Sequence, residues 1–272
     1  MSAEPLDLAP FRIAPEAHVD LDDTPTSGGD GLDKHETKKR TAKLLERLTE
    51  LHLQLVAQGI RRVLVVIQAR DAGGKDGTIR TVFGPLAPQG LRVASFKVPT
   101  EPELAHDFLW RVHPHVPGDG ELVVFNRSHY EDVLVVRVHS LVPEDRWRRR
   151  YDHIRHFEQL LVDEGTTIVK LFLHVSADEQ RERLQDRIDD PAERWKFNSG
   201  DLAERRLWAH YDNAYEDMLE RTSTDDAPWF VVPADRKWFR DLVVASILVR
   251  TLEGLDLDWP AGEDGIEGTV VE

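Results

Sequence analysis

Gln68-Ala69-Arg70-Asp71-Ala72-Gly73-Gly74-Lys75-Asp76-Gly77-Thr78 is the first stretch of the chain whose residue types could do chemistry. It follows Val63-Leu64-Val65-Val66-Ile67, an unbroken β-branched run of the kind that forms a strand buried on both faces of a parallel sheet. A glycine-rich turn between such a strand and a helix is the setting of a phosphate-binding loop. Glycines let backbone N–H groups face phosphate oxygens, the helix N-terminus adds positive potential, and a lysine reaches the phosphoryl group in transfer. Ala72, Gly73, Gly74, Lys75, Asp76, Gly77 and Thr78 are the expected cradle. Against the general pattern G-x-x-x-x-G-K-[ST], Ala69 stands at the first glycine and Asp76 at the hydroxyl residue, with Thr78 two positions later. The alternative is a strand-to-helix turn that binds nothing.

Asp71 sharpens the choice. A carboxylate in a phosphate cradle would repel its ligand by on the order of 4 kcal/mol at close range, and a bridging Mg²⁺ turns that repulsion into coordination. The competing role, a cap for the following helix, falls more naturally to Asp76. A second cluster, Asn126-Arg127-Ser128-His129-Tyr130-Glu131-Asp132, follows the apolar run Val123-Val124-Phe125. If that run pairs with the first strand, its carboxyl end faces the loop. Arg127 would then meet charge on a transferred phosphoryl, and Glu131 and Asp132 could offer carboxylates to magnesium. A solvated helix start would equally hold acidic residues against the helix dipole.

A third set is basic. Arg183 and Arg187 lie four apart and share a helix face, with Arg194 and Lys196 beyond them. Such a face suits a lid over a phosphate chain, or is simply solvated. The run Arg146-Trp147-Arg148-Arg149-Arg150 reads as a helix-start surface. His113-Pro114-His115 reads as a loop, and the twelve histidines show no metal-ligand spacing.

The elements that must position these groups alternate. Leucines 44, 45, 48, 51 and 55 predict an amphipathic helix over 37–58 that Gly59 stops. Strands are expected at 91–98, 122–125, 167–175 and 229–232. Helices are expected from Glu101, at 130–138, 149–163 and 201–221, from the capping residue Ser176, and at 236–252. This pattern predicts an α/β fold of three layers around a mostly parallel sheet of roughly five strands. Residues 189–200 read as a lid or loop, placing a helical lid around 178–200.

The 272 residues suit one large domain. Absent cysteine excludes disulfides and thiolate metal sites and fits a reducing cytoplasm. There is no basic-then-apolar leader pattern, nor an apolar run near the roughly 20 residues that span a bilayer, so no membrane association is expected. The net charge of −15 sits at the ends: residues 1–36 hold nine acidic and two basic side chains, and residues 253–272 hold seven acidic and none basic. The body is left near neutral, at −1, which accommodates a local anion site but not a generic nucleic-acid surface. Residues 1–36 are expected to form a mobile acidic arm, 37–252 the phosphotransferase domain, and 253–272 an acidic tail.

Taken together, Asp71 to Thr78, Ser95-Phe96-Lys97-Val98-Pro99-Thr100, Asp107-Phe108-Leu109-Trp110-Arg111, Phe125 to Asp132, Trp195-Lys196-Phe197, Ala214-Tyr215-Glu216-Asp217 and the stretch Ala227 to Phe239 resemble, in order, the polyphosphate kinase 2 family. The resemblance covers about 37–252. It implies a thymidylate-kinase-like P-loop core, and an enzyme that moves the terminal phosphoryl of inorganic polyphosphate to AMP or ADP with Mg²⁺. Adenine or guanine nucleotides and a homo-oligomeric state are also implied. Asp71 and Lys75 would be the Walker A pair, and Arg127 a phosphate contact. Arg183, Arg187 and Lys196 would meet polyphosphate. Lys97 and Arg111, with Asn126 and Arg127, are candidates for the nucleotide. Where many members have Asp-Arg-Ser, this chain has Asn126-Arg127-Ser128, which moves the weight of metal binding to Asp71, Glu131 and Asp132. The rival expectations are an ATP-dependent nucleoside-monophosphate kinase and a silent polyphosphate-binding protein.

Overall fold

The computed structural model describes residues 4–263 together with 266 and 270, so part of the acidic tail lies outside the described residues. Five strands, β1 (Arg62–Ala69), β2 (Leu91–Ser95), β3 (Leu122–Asn126), β4 (Thr166–His174) and β5 (Trp229–Pro233), form one sheet in the order β2-β3-β1-β4-β5. Every neighbouring pair is parallel. The helices are α1 (Lys34–Gln58), α2 (Lys75–Thr78), α3 (Glu101–Leu104), α4 (Val135–Val138), α5 (Glu144–Asp163), α6 (Ala177–Asp189), α7 (Gly200–Arg205), α8 (Trp208–Thr222) and α9 (Lys237–Glu253).

Central β1 is apolar on both faces because both are covered. Val63, Val65 and Ile67 pack with Leu44, Leu48 and Leu55 of α1 and with α9, while Leu64 and Val66 pack into a second core with α5 and α8. The expected three-layer α/β architecture is what the chain adopts, with a sheet that was expected to be mostly parallel and is parallel throughout. Among the described residues, no helix is long and apolar enough to cross a membrane.

Several boundaries differ from expectation. β2 ends at Ser95 rather than at 98, because Phe96 turns onto Phe125 (ring centroids 4.9 Å apart) and Arg111 holds the Lys97 carbonyl at 2.9 Å. The expected helix over 130–138 divides into a 3-10 turn (His129–Asp132) and α4. The helix expected over 201–221 likewise divides into α7 and α8, and the second begins at Trp208, whose ring lies 3.9 Å from the guanidinium of Arg70. The basic run 146–150 lies within α5. Arg148 and Arg149 pair with Glu144 and Asp145 one turn back on the exposed face, whereas Arg150 is buried.

The N-terminal segment is not a free arm. Val19 and Leu21 are each 3% exposed, and their N–H groups donate to Glu220 at 2.8 Å and to Glu216 at 3.0 Å on α8. Upstream, the Ile13 N–H donates to the Trp229 carbonyl at 2.9 Å. Downstream, Thr26 donates to Asp235 at 2.8 Å, and Arg236 pairs with Asp30. Composition concealed this strap because two apolar residues and the acceptors offered by α8 hold a segment that is otherwise polar. Leu21→Ala should therefore lower the free energy of unfolding by about 2–3 kcal/mol, as for other buried leucines, in a urea titration. An unchanged midpoint would mean that the segment merely rests on the surface.

Candidate active site

The register of the sheet builds the site. Ile67 of β1 pairs with Asn126 of β3, so the chain leaves both strands at the same level, with Gln68 to Lys75 on one side and Arg127 to Glu131 on the other. The Arg127 N–H donates to the Ile67 carbonyl at 3.2 Å, which ties the second motif to the first strand. Ala72 (φ 58°), Gly74 (φ 103°) and Arg127 (φ 60°) all take up left-handed backbone. Such conformations persist only where surrounding contacts over-determine them, and they gather at functional sites.

Four charged side chains converge there. Arg127 donates to Asp71 at 2.7 Å. Lys75 is folded back over the end of β1, donating to the carbonyls of Ala69 at 2.9 Å and Arg70 at 3.4 Å. Burial, followed by the neighbouring Arg127, lowers the pKa of its ammonium. Glu131 is half-buried, and desolvation raises its pKa against the pull of Arg127 and Lys75. With its amide set to satisfy both neighbours, Gln68 donates to Glu131 at 3.0 Å and accepts from Ser128. Asp71, Arg127 and Glu131 line a cleft of about 330 Å³, with Trp208, Tyr211 and Tyr215 on the opposite wall.

Beneath the second motif lies a buried network. Lys170 on β4 donates to Glu158 on α5 at 2.6 Å and to the Thr222 carbonyl at 2.6 Å, and the Tyr130 hydroxyl donates to Glu158 at 2.7 Å. Each charge is thus paired and hydrogen-bonded, the condition under which an ion pair survives burial. The network fixes Tyr130, and with it the position of Glu131 one residue on.

Other expected residues fall elsewhere. Asp132 turns away from the cleft to Arg150 at 2.7 Å, and burial outweighs that arginine in pushing its carboxyl up to about 6. It is thus separated from Asp71 and Glu131, with which it was expected to hold magnesium, because adjacent residues on the 3-10 turn diverge. Among the described residues, no group of three acidic or histidine side chains is placed to hold a metal by itself. Arg111 is buried and committed to Lys97 O and Glu103, while the Lys97 side chain is exposed, and neither lines the cleft. Thr78 is buried and donates its hydroxyl to the Gly74 carbonyl at 3.1 Å. Asp76 accepts from Asn126 at 2.8 Å.

The expected lid residues also divide. Arg183 is not a free contact for substrate. Its guanidinium is buried and donates to the carbonyls of Ala72 at 3.1 Å and Ala234 at 2.6 Å. Arg187 pairs loosely with Asp201 of α7 at 3.6 Å, and Lys196 pairs with Glu193. Sequence reasoning quoted Arg70 and Tyr215 within motifs without giving them a role and missed Trp208 and Tyr211, all four of which wall the cleft, and it missed Arg240, whose guanidinium lies against Gly74. The aromatic spacing 208, 211, 215 on one helix face was the signal that could have found the wall.

The model of the family described as "Polyphosphate kinase 2" matches residues 31–258. A Meiothermus ruber protein named AMP/ADP-polyphosphate phosphotransferase is 56% identical, covering 96% of this chain and 99% of that one. An ADP-polyphosphate phosphotransferase of Rhodopseudomonas palustris is 45% identical over 92% of this chain and 91% of its own. The crystal structure of a polyphosphate kinase 2 from Arthrobacter aurescens superposes with a TM-score of 0.88 at 42% identity, covering 96% of this chain and 95% of that one.

Asn126 and Asp76 supply a test of local charge balance. Asn126→Asp would set two carboxylates where a 2.8 Å amide–carboxylate bond now lies. The variant should lose about 1–4 kcal/mol of stability in metal-free buffer, given like charges at that range, and regain much of it with magnesium. Differential scanning fluorimetry with and without Mg²⁺ would report this as a larger metal-induced rise in Tm than wild type shows. Equal rises would mean that the pair lies apart from any cation.

Proposed function

Because the chain belongs to the polyphosphate kinase 2 family, we propose that it transfers the terminal phosphoryl of inorganic polyphosphate to AMP or ADP, reversibly and with Mg²⁺. The observation that carries the chemistry is the meeting of Lys75, Arg127, Asp71 and Glu131 at the mouth of a phosphate-loop turn. In the transfer, a terminal phosphate oxygen of the nucleotide attacks the end phosphorus of polyphosphate in line. The bond to the next bridging oxygen breaks, and the chain leaves one unit shorter. No side chain need be phosphorylated, so catalysis reduces to positioning and charge neutralisation.

Each residue has a role that follows from its place. Lys75 swings from the carbonyls of Ala69 and Arg70 to the phosphoryl oxygens. Its depressed pKa reflects a site where a cation lacks water and gains most from an anionic partner. Arg127 exchanges Asp71 for phosphate. Magnesium characteristically takes one or two carboxylates together with substrate phosphate and water, and the pair Asp71 and Glu131 fits that demand. Glu131 in particular is a half-buried carboxylate with no cation in salt-bridge contact among the described residues. When bound there, the ion would neutralise charge on the phosphates. The aromatic wall of Trp208, Tyr211 and Tyr215 offers apolar surface to the nucleoside.

Incubation with Mg²⁺, long-chain polyphosphate and either AMP or ADP should yield ADP or ATP, and Lys75→Ala should lower kcat by at least about 10²–10³-fold, as for loss of a group serving developing charge. Product from ATP and AMP without polyphosphate would make the protein an ATP-dependent kinase instead. Binding of polyphosphate with no turnover by folded protein would make it a silent binder.

A further inference from the structure

The phosphate loop is held by three side chains to which the proposed transfer gives no role, Arg183 and Arg240 from behind and Gln180 from among the residues that line the cleft. Gln180 of α6 donates to the Asp71 carbonyl at 2.8 Å, Arg183 of α6 to the Ala72 carbonyl at 3.1 Å, and Arg240 of α9 to the Gly74 carbonyl at 3.4 Å. The two guanidiniums are nearly sealed from water, with side chains 8% and 3% exposed. Each is fixed by further bonds. Arg183 also reaches Glu179, Ala234 and Asp235, and Arg240 grips Asp241 through two nitrogens at 2.9 and 2.7 Å. Fit is close: a Cβ on Gly74 would stand 2.3 Å from one Arg240 nitrogen.

In a trans peptide the carbonyl of one residue and the N–H of the next point in opposite directions. Pulling the carbonyls of Asp71 and Gly74 backward therefore turns the N–H groups of Ala72 and Lys75 forward, while Arg183 on the Ala72 carbonyl fixes the peptide that closes the turn. Gly73 spends its N–H on the Arg70 carbonyl at 2.9 Å, closing the turn. The N–H groups of Ala72 and Lys75 remain for phosphate oxygens. Ala72 and Gly74, the residues with left-handed backbone, are the ones whose carbonyls the arginines hold. Without the brace, those conformations would relax and the donors would scatter.

We infer that Gln180, Arg183 and Arg240, with Asp241 as counter-ion, are positioning residues that set the phosphate loop in its donor-forward shape. Arg183 and Arg240, which lie outside the cleft lining, act on the rate of transfer without touching substrate. The inference deepens the proposed transfer and rests on it. It also moves Arg183 from the expected polyphosphate contact to a group behind the loop.

The test is steady-state kinetics of Arg183→Met and Arg240→Met with tripolyphosphate and with long-chain polyphosphate. Methionine fills much of the volume but donates nothing. The expected result is a kcat lower by about 10- to 100-fold on both donors, the scale of a small misplacement of reacting groups, with each KM within about threefold of wild type. A kcat within about threefold of wild type overturns the brace. So does a loss carried by the KM for long chains and spared with tripolyphosphate, since that marks direct contact with substrate. Should Arg240→Met fail to fold, Asp241→Asn keeps the arginine but frees it. It should show the same kcat-only loss in milder form, and an unaltered kcat counts against the inference. If wild type itself transfers nothing from polyphosphate, the proposed reaction fails and the brace is judged on amide hydrogen exchange. Residues 72–77 should then exchange faster in the variant if the brace is real, and equally if it is not.

Discussion

Lys75 and Arg127 face Asp71 and Glu131 where β1 and β3 end in register, and the rest of the fold serves to hold these opposed charges together, partly shielded from water. Left to solvent, each would be hydrated and indifferent to its neighbours. In the cleft, interactions are strengthened several-fold by the lower effective dielectric. The quartet balances itself in the absence of ligand: Arg127 rests on Asp71, and Lys75 on the carbonyls that end β1. On the proposed reading, phosphate would enter by replacing those partners, and a divalent cation would take up the freed carboxylates, which would couple substrate to metal.

The layers around the quartet follow from this demand. A parallel sheet buried on both faces gives two strand ends held level by the paired backbones of β1 and β3 and by the packing of Val63, Val65 and Ile67 on one face and Leu64 and Val66 on the other. The Glu158–Lys170 pair with Tyr130 fixes the second motif from below, while α6 and α9 fix the loop from behind. The N-terminal strap adds to this frame from outside. It ties Thr26 to Asp235, the residue whose carbonyl Arg183 also holds.

What could be read from the sequence divides along physical lines. Contiguous patterns were legible: the β-branched runs, the helical leucines, and the loop and second motif whose spacing carries their chemistry. Contacts between distant segments were not. Asp132 looked equivalent to Glu131 until Arg150, eighteen residues on and seemingly part of a solvated basic run, turned inward to claim it. Arg183 shares a helix face with Arg187, yet only the former is buried, since α6 lies against the loop along its first turns and leaves it afterwards. Arg240 carries no local signal at all, because its partner is the backbone of Gly74 across 166 residues. The acidic arm was misjudged because composition weighs every residue equally, whereas Val19 and Leu21 decide where the segment lies.

The most direct test of the charge quartet is calorimetric titration of tripolyphosphate into wild type, Lys75→Met and Asp71→Asn, with and without Mg²⁺. The account predicts that Lys75→Met weakens binding by about tenfold or more in both conditions, equivalent to about 1.4 kcal/mol. It also predicts that the effect of Asp71→Asn changes sign: tighter binding than wild type without metal, where repulsion is removed, and weaker binding with it, where a ligand to the cation is lost. Affinities that do not depend on either residue, or an Asp71→Asn effect of the same sign in both conditions, would contradict it.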